Sequence, residues 1–207
     1  MPRYVLTGAP GAGKTAILRL LERSGYRVVE EAATDVIALE LAYGRPEAWR
    51  SPGFADAIAG LQRQRREQAD AGGPEHDAVF FDRSPVCTLA LCRHLDLPVP
   101  ALLAADVDRV VADGVYGDAV FFVRNQGFVE PTAARRISFE DSLVFERVHE
   151  QVYRELGFEL IEVPPGPVER RAAVILEAAG LASLGCGSAG ARACSIAPGG
   201  LAVRRKR

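Results

Sequence analysis

Lysine is almost absent from this 207-residue chain, in which 23 of the 25 basic residues are arginines. The two lysines are Lys14 and Lys206, so the choice of lysine at position 14 calls for a chemical explanation. Acidic residues number 27, which gives a formal net charge of −2. A charge so close to neutral argues against a protein whose whole surface binds nucleic acid or a membrane.

Long apolar runs and a dense set of cysteines are also missing. No run approaches the roughly 20 apolar residues that span a bilayer, and the first apolar segment reaches a glycine too early for a signal peptide. We therefore expect a cytoplasmic protein. The four cysteines show no C-x-x-C spacing, so we expect no disulfide, and we interpret Cys87 and Cys92 as packing residues.

The charge is distributed unevenly along the chain. Residues 183–207 contain five basic residues and no acidic one, so residues 1–182 carry a charge of −7. Glycine, alanine and serine account for 13 of these last 25 residues, and no apolar period is sustained there. The sequence predicts one folded domain over residues 1–182 and a disordered basic tail over residues 183–207.

Within the predicted domain, short apolar runs alternate with segments of helical periodicity. Strands are predicted at 4–7, 27–30, 78–81, 118–123 and 158–163, and helices at 14–24, 34–42, 86–94, 99–112 and 168–179. Two further helices are predicted. One begins at Phe54 and continues through a polar run, 62–67, whose arginines are interpreted as a solvated face, and the other follows a Ser138–Asp141 capping box. Strands that are apolar on both faces are typical of the interior of a parallel sheet. The fold class is therefore α/β: a three-layer sandwich with a doubly wound, mostly parallel sheet of about five strands.

A glycine-rich segment that fits G-x-x-x-x-G-K-[ST] joins the first predicted strand to the first predicted helix. Glycines let consecutive backbone N–H groups converge on phosphate oxygens, and the helix N-terminus adds its positive dipole end. A compact ammonium at Lys14 suits the terminal phosphates better than a planar guanidinium, and the Thr15 hydroxyl is a ligand for Mg²⁺. The sequence thus predicts a phosphate-binding loop (P-loop) for Mg·ATP or Mg·GTP, formed by Gly8, Ala9, Pro10, Gly11, Ala12, Gly13, Lys14 and Thr15.

Acidic and basic residues follow two of the predicted strands. Asp82 closes the third strand, where an acid can reach the Mg²⁺ beside the loop, and Arg83 could hold a substrate or a phosphate through two parallel hydrogen bonds. Glu30 and Glu31 close the second strand, where a carboxylate could accept the proton of an attacking hydroxyl or hold ribose hydroxyls. Alternation does not decide between these two glutamates at a strand end. The preferred candidate is Glu31, and the alternative is that neither glutamate is catalytic.

A polar segment from Arg124 ends in the paired arginines Arg135 and Arg136, just before a capped helix. Phosphoryl transfer needs positive charge near the moving phosphate and exclusion of water, and a mobile loop carrying arginines supplies both. We interpret this segment as a small lid. The alternative is an ordinary surface loop with solvated arginines.

Four segments together resemble the AAA-type ATP/GTP-binding family, which is related to the nucleoside-kinase domain of the bacterial NAD-biosynthesis regulator. They are Gly8–Thr15, Val-Val-Glu-Glu-Ala-Ala at 28–33, Phe-Phe-Asp-Arg-Ser at 80–84 and Leu-Gly-Phe-Glu-Leu-Ile-Glu-Val-Pro at 156–164. The resemblance implies a P-loop kinase-like fold, with Lys14 on phosphates, Thr15 and Asp82 on magnesium, and Arg135 and Arg136 on a lid.

The Asp-Arg-Ser at 82–84 is also similar to the Glu/Asp-Arg-Ser of deoxynucleoside kinases, in which an acid of the second strand serves as base. That similarity implies a base at Glu30 or Glu31. No separate adenylyltransferase or DNA-binding region is found, so the multifunctional regulator itself is not expected.

Two functions follow as hypotheses. The first is a Mg²⁺-dependent phosphotransferase that moves the γ-phosphate of ATP or GTP to a small hydroxyl acceptor such as a nucleoside. The alternative is a nucleotide switch, a regulatory ATPase or GTPase that acts through a protein partner. Neither a membrane nor a nucleic acid is an expected partner, and a homodimer is left open.

Overall fold

A computed structural model describes residues 1–51, 53–71, 77–128 and 137–181. The strands are β1 (Arg3–Thr7), β2 (Arg27–Val29), β3 (Val79–Asp82), β4 (Ala119–Val123) and β5 (Glu159–Val163). The helices are α1 (Lys14–Arg23), α2 (Ala33–Ala42), α3 (Phe54–Ala71), α4 (Pro85–His94), α5 (Ala101–Ala112), α6 (Phe139–Glu155) and α7 (Val168–Ala178), with a 3-10 turn at Ala48–Arg50.

The five strands form one parallel sheet in the order β2-β3-β1-β4-β5. Strand β1 therefore lies in the centre, and Leu6 pairs with Asp82 on one side and with Phe121 on the other. Because all strands run the same way, their carboxyl ends meet at one edge of the sheet. The segments that follow β1, β2 and β3 thus converge at this edge.

Side chains alternate between two apolar layers, one on each face of the sheet. One layer joins Leu6, Phe80 and Phe121 to helices α1 and α7. The other joins Val5 and Phe81 to helices α4, α5 and α6. This arrangement confirms the predicted α/β sandwich with helices on both faces of a parallel sheet.

Serine side chains begin two of the helices that flank the sheet edge. Ser84 accepts a hydrogen bond from the Val86 backbone N–H at 3.2 Å and starts α4 ahead of Pro85. Ser138 accepts one from the Asp141 backbone N–H at 3.0 Å and starts α6, as the capping signature predicts. Because Ser84 caps α4, Asp82 is not needed as the cap of that helix and is available for another role.

Two predictions about segments near the carboxyl edge of the sheet, the end of β2 and the polar run of α3, differ from the structure. Strand β2 ends at Val29, so both Glu30 and Glu31 lie beyond the strand and their directions are set by the turn. The polar run of α3 is not a uniformly solvated face, because Gln62 and Arg66 are buried and Arg66 pairs with the buried Asp106. Cys87 and Cys92 are buried and unbridged, as predicted.

None of the helices in the described residues combines the length and apolar character needed to cross a membrane. The predicted tail, residues 183–207, and the paired arginines, Arg135 and Arg136, lie outside the described residues.

Candidate active site at the P-loop

The P-loop depends on glycine at positions where the backbone has a positive φ or approaches another strand. Gly8 has a φ of 125°, and a Cβ placed there would lie 2.3 Å from the Val123 carbonyl oxygen. Gly13, with a φ of 87°, is the N-terminal boundary of α1. Any L side chain at Gly8 would collide with β4, so the loop can pass this close to the sheet only with glycine there.

The ammonium of Lys14 lies inside the curl of the loop. Its Nζ donates to the carbonyl oxygens of Gly8 at 3.1 Å and Ala9 at 2.9 Å. Burial, and next the positive charge of Arg83, lower the pKa of Lys14 to about 8. The loop therefore holds the Lys14 ammonium in a desolvated position, where it can interact strongly with phosphate oxygens.

Thr15 and Asp82 bring a hydroxyl and a carboxylate together at the carboxyl edge of the sheet. Thr15 Oγ1 and Asp82 Oδ2 are 3.4 Å apart, and the buried Asp82 Oδ1 has no hydrogen-bond partner among the described residues. Burial and the negative charge of Glu31 raise the pKa of Asp82 to about 6. An orphaned carboxylate oxygen beside a hydroxyl is an oxygen donor set that suits Mg²⁺, which completes its shell with phosphate and water. The residues present therefore fit the ion that the P-loop implies.

Arg83 and Glu31 form an ion pair beside the loop, with Arg83 Nε and Glu31 Oε1 2.6 Å apart. Arg83 also donates from a terminal nitrogen to the Gly8 carbonyl at 3.3 Å. Its φ of 72° is left-handed, which for a non-glycine residue costs roughly 1–2 kcal/mol. Burial raises the pKa of Glu31, but the charges of Arg83 and Lys14 outweigh it, so that pKa lies below its usual value.

His149 of α6 fixes the other side of the Arg83 guanidinium. The His149 Nδ1 lies 2.9 Å from the Phe145 carbonyl oxygen, which can only accept, so Nδ1 carries the proton. The Nε2 atom then accepts from Arg83 at 3.2 Å. Burial and the charge of Arg83 lower the pKa of His149 to about 3. The imidazole is therefore neutral and acts as a fixed acceptor for Arg83.

Glu30 points away from this cluster. Its side chain is 51% exposed and pairs with Arg19 on the surface of α1. Of the two candidate bases, the structure thus brings Glu31 to the site and leaves Glu30 outside it.

Arg171 of α7 supports the P-loop from the opposite side. It donates to the carbonyl oxygen of Ala12 at 2.6 Å and to that of Arg124 at 2.8 Å. The Arg171 side chain is buried. Burial lowers the pKa of Arg171. Arg171 thus ties the loop to the segment that follows β4.

Arg124, the first residue of the predicted lid, is held by carboxylates. It contacts Glu146 at 3.2 Å, Glu150 at 2.9 Å and the more exposed Glu162, and it lies over the Phe122 ring. These contacts make Arg124 an anchor for the start of the segment. Arg135 and Arg136 remain predictions.

A cavity of about 530 Å³ opens directly beside the P-loop. Lys14 and Thr15 line one end, and Glu31 and Arg83 lie on its wall. The rest of the wall is largely apolar or aromatic and includes Ile37, Trp49, Phe54, Ile58, Leu91 and Phe145. The cavity therefore extends from the P-loop into a largely apolar chamber of a size suited to a small organic molecule.

Three residues of the site were not anticipated from the sequence: Gln62, His149 and Arg171. Gln62 follows Phe54 and Ile58 at four-residue intervals, so a polar residue in line with an apolar helical stripe is a signal that could have identified it. His149 and Arg171 give no comparable local signal, because their partners are far away along the chain.

The sheet order, the glycine loop and the buried cation define a P-loop nucleotide-binding protein. A family model described as an AAA domain matches residues 3–171, and the chain belongs to this AAA-domain family. No sequence among the curated proteins matches the chain.

Solved structures show the same fold at low identity. The deoxyadenosine kinase of M. mycoides with dCMP and a flexible dCDP has a TM-score of 0.59 and 15% identity, over 86% of this chain and 98% of that one. The same kinase with dATP has a TM-score of 0.55 and 15% identity, over 87% of this chain and 100% of that one. Thymidylate kinase from Candida albicans has a TM-score of 0.54 and 8% identity, over 86% of this chain and 91% of that one. The chain therefore has a P-loop kinase-like fold.

Proposed function

We propose that this protein is a Mg²⁺-dependent phosphotransferase that moves the γ-phosphate of ATP or GTP to a hydroxyl of a small, nucleoside-like acceptor. The observation that carries the proposal is the Glu31–Arg83 ion pair, which lies where the P-loop meets the 530 Å³ cavity. A protein that only binds and hydrolyses a nucleotide needs no second chamber of this kind. The similarity in fold to nucleoside and nucleotide kinases supports the same choice.

Each residue of the site has a role in this reaction. The loop N–H groups and Lys14 hold the phosphates, and Thr15 and Asp82 would hold Mg²⁺, which neutralises phosphate charge when it is bound. Glu31 orients the acceptor hydroxyl and takes its proton as the new O–P bond forms and the bond to the β-phosphate oxygen breaks. The diphosphate leaves with the electron pair of the broken bond.

Arg83 keeps Glu31 ionised and directed towards the cavity. A carboxylate with a lowered pKa is a weak base, so its main contribution is to align the hydroxyl with the phosphate, and the proton moves late in the reaction. The paired arginines at 135 and 136 are proposed to add positive charge around the transferred phosphate. We also propose that residues 1–182 suffice for this chemistry in the cytoplasm and that residues 183–207 take no part in it.

The test is a phosphorylation screen with purified protein, Mg·ATP or Mg·GTP and a panel of nucleosides and other hydroxyl metabolites. We expect at least one acceptor to gain a phosphate, detected by mass spectrometry together with stoichiometric release of the nucleoside diphosphate. Glu31→Gln should lower kcat by about 100-fold or more, the range for loss of a positioned base. The matched control Glu30→Gln should stay within about twofold of the parent, because that side chain is outside the cavity.

Nucleotide binding without phosphorylation of any acceptor would contradict the proposal. Slow hydrolysis together with a nucleotide-dependent protein partner would favour the switch instead. Equal losses of kcat in Glu30→Gln and Glu31→Gln would show that Glu31 has no specific role in the transfer.

A further inference from the structure

Arg65 of α3 holds the turn between β2 and α2 through its guanidinium. One terminal nitrogen, Nη1, donates to the backbone carbonyl oxygens of Glu30, at 3.3 Å, and of Glu31. The other, Nη2, donates to the carboxylate of Asp35 in the first turn of α2. A guanidinium carries its donors in a rigid, planar fork, so these three contacts together fix the turn relative to α3.

The two carbonyl contacts show that the chain has left the extended conformation at this point. In a strand, consecutive carbonyl groups point in opposite directions, so one nitrogen cannot reach both. Arg65 Nη1 reaches the carbonyls of Glu30 and Glu31 because β2 has ended before them. Gln62, three residues earlier on the same helix, accepts from the backbone N–H of Ala32 at 3.2 Å. Helix α3 therefore holds three consecutive residues of the turn through their backbone.

The conformation of this turn decides which of two adjacent glutamates enters the site. Glu30 pairs with Arg19 on the surface of α1, whereas Glu31 Oε1 lies 2.6 Å from Arg83 Nε. The Thr34 hydroxyl donates to the other carboxylate oxygen of Glu31 at 3.2 Å. Because the two glutamates are neighbours, a shift of the segment by one residue would exchange their places. The backbone of the turn must therefore be held if the Glu31 carboxylate is to stay beside the P-loop.

Arg65 itself lies near the surface. Its side chain is 22% exposed and that of Asp35 is 54% exposed, and ion pairs so close to solvent add little to stability. Among the described residues, those that line the cavity include Glu31 but not Arg65. Any effect of Arg65 on the reaction must therefore pass through the turn that it holds.

We propose that Arg65 is a positioning residue, whose guanidinium keeps the β2–α2 turn in the conformation that directs the Glu31 carboxylate towards Arg83. This inference rests on the proposed function and deepens it, because it names the group that places the carboxylate which orients the acceptor. Arg65 acts on the backbone of Glu31 and touches neither the acceptor nor the phosphates.

A merely structural role for Arg65 would consist of stabilising the packing of α2 on α3. The two roles differ in how they depend on Glu31. If Arg65 acts through that carboxylate, its loss should lower kcat only while the carboxylate is present. A purely structural residue would lower kcat by the same factor in Glu31→Ala, which has no side chain left to position.

The experiment is a double-mutant cycle on phosphoryl transfer by the full chain to the best acceptor found in the screen. The proteins are the wild type, Arg65→Met, Glu31→Ala and the combination of the two substitutions. Arg63→Met is the matched control, because Arg63 belongs to the same helix and pairs with Glu67 on its exposed surface. Circular dichroism establishes that each variant is folded.

We expect Arg65→Met to lower kcat by about 10-fold when Glu31 is present, the effect of a misplaced catalytic group. The KM for triphosphate should stay within about twofold of the wild type, because the P-loop is unchanged. In the Glu31→Ala background, Arg65→Met should cost less than about twofold, as should Arg63→Met in either background. The inference is overturned if Arg65→Met keeps the wild-type kcat, or if the same loss occurs without the Glu31 side chain.

Arg65→Lys takes the place of Arg65→Met if the latter fails to fold. Lysine keeps the charge and the apolar stem but has no planar fork, so it cannot hold both carbonyls and Asp35 at once. It should lower kcat by about threefold, and again only when Glu31 is present. An equal loss in both backgrounds, or no loss in either, would overturn the inference.

Failure of the proposed function would be recognised separately, as the absence of phosphorylation of every acceptor by the wild type. Crystal structures of Arg65→Met and Arg63→Met would then test the positioning role without activity. The quantity to compare is the distance from Arg83 Nε to Glu31 Oε1, which is 2.6 Å in the unaltered chain. Separation of this pair in Arg65→Met alone would support the role of Arg65, and an unchanged pair would overturn it.

Discussion

The two ends of the cavity are built in different ways. The P-loop end uses backbone groups of consecutive residues and one ammonium, with Lys14 held by the carbonyls of Gly8 and Ala9. The chamber end uses side chains from separate elements, since Glu31 follows β2, Gln62 belongs to α3 and Arg83 follows β3. A ligand group common to all nucleotides can be read by local backbone geometry, whereas a particular acceptor needs side chains brought together by the fold.

The largest expected effect on activity comes from a change at the P-loop end of the cavity. Lys14→Ala should lower phosphoryl transfer by about 1,000-fold or more and weaken triphosphate binding, because it removes the buried cation of the loop. Acceptor binding, measured by calorimetry without triphosphate, should be nearly unchanged. Circular dichroism should show that the variant is folded.

Lys14→Arg is the matched control for charge. A planar guanidinium does not fit between the Gly8 and Ala9 carbonyls as an ammonium does, so this variant should also lose most of its activity. Full activity in Lys14→Ala or Lys14→Arg would show that the P-loop takes no part in the reaction.

The second effect concerns the support of the loop. Arg171→Met removes the hydrogen bonds to the Ala12 and Arg124 carbonyls and should raise the KM for triphosphate by about 10-fold, with little change in the KM for the acceptor. Arg170→Met changes the exposed neighbouring arginine and should be silent. A rise in the acceptor KM alone would mean that Arg171 supports the chamber instead.

The third and smallest effect on catalysis falls on the chamber side. His149→Gln keeps an acceptor for Arg83, so at pH 7 we expect the acceptor KM to rise by only about threefold. The larger signature is in stability, because His149 has a pKa of about 3 in the folded protein, below its ordinary unfolded value near 6.5.

As the pH falls, His149 therefore takes up a proton at a higher pH in the unfolded chain than in the folded protein. The contribution of His149 to the free energy of unfolding is fully present above about pH 6.5 and is lost as the pH falls towards 3. Urea unfolding of the wild type should lose on the order of 3 kcal/mol relative to His149→Gln between pH 6.5 and pH 4. Parallel pH curves for the two proteins would show that the imidazole is not buried and neutral.

The same contrast explains what could be predicted from the sequence. The loop, Thr15 and Asp82 follow from local patterns, since glycine spacing and a strand end place them with little help from distant residues. The sheet and its helices follow from apolar periodicity for the same reason. The preference for Glu31 over Glu30 could not be derived from strand alternation, because both lie beyond β2 and the turn decides which carboxylate meets Arg83.

Residues with distant partners were the ones missed. The sequence predicts a solvated face for the arginines of the run 62–67, yet Arg66 bonds Asp106, 40 positions away. Gln62 of the same run bonds Ala32, 30 positions away. Arg171 reaches Ala12 across 159 positions. Helical periodicity could have placed Gln62 on the buried face of its helix, but the partners of such polar groups depend on which elements pack together, and a periodicity within one helix does not identify those partners.

The scarcity of lysine makes this protein suited to covalent labelling. Lys14 is the one lysine in the described part of the chain, and its pKa of about 8 leaves roughly a tenth of the amine uncharged at pH 7. An uncharged amine is nucleophilic, so an acylating reagent small enough to enter the cavity should modify this nitrogen in preference to an ordinary lysine. Peptide mapping of the modified nitrogen, with and without triphosphate, would then report occupancy of the loop even before any acceptor has been identified.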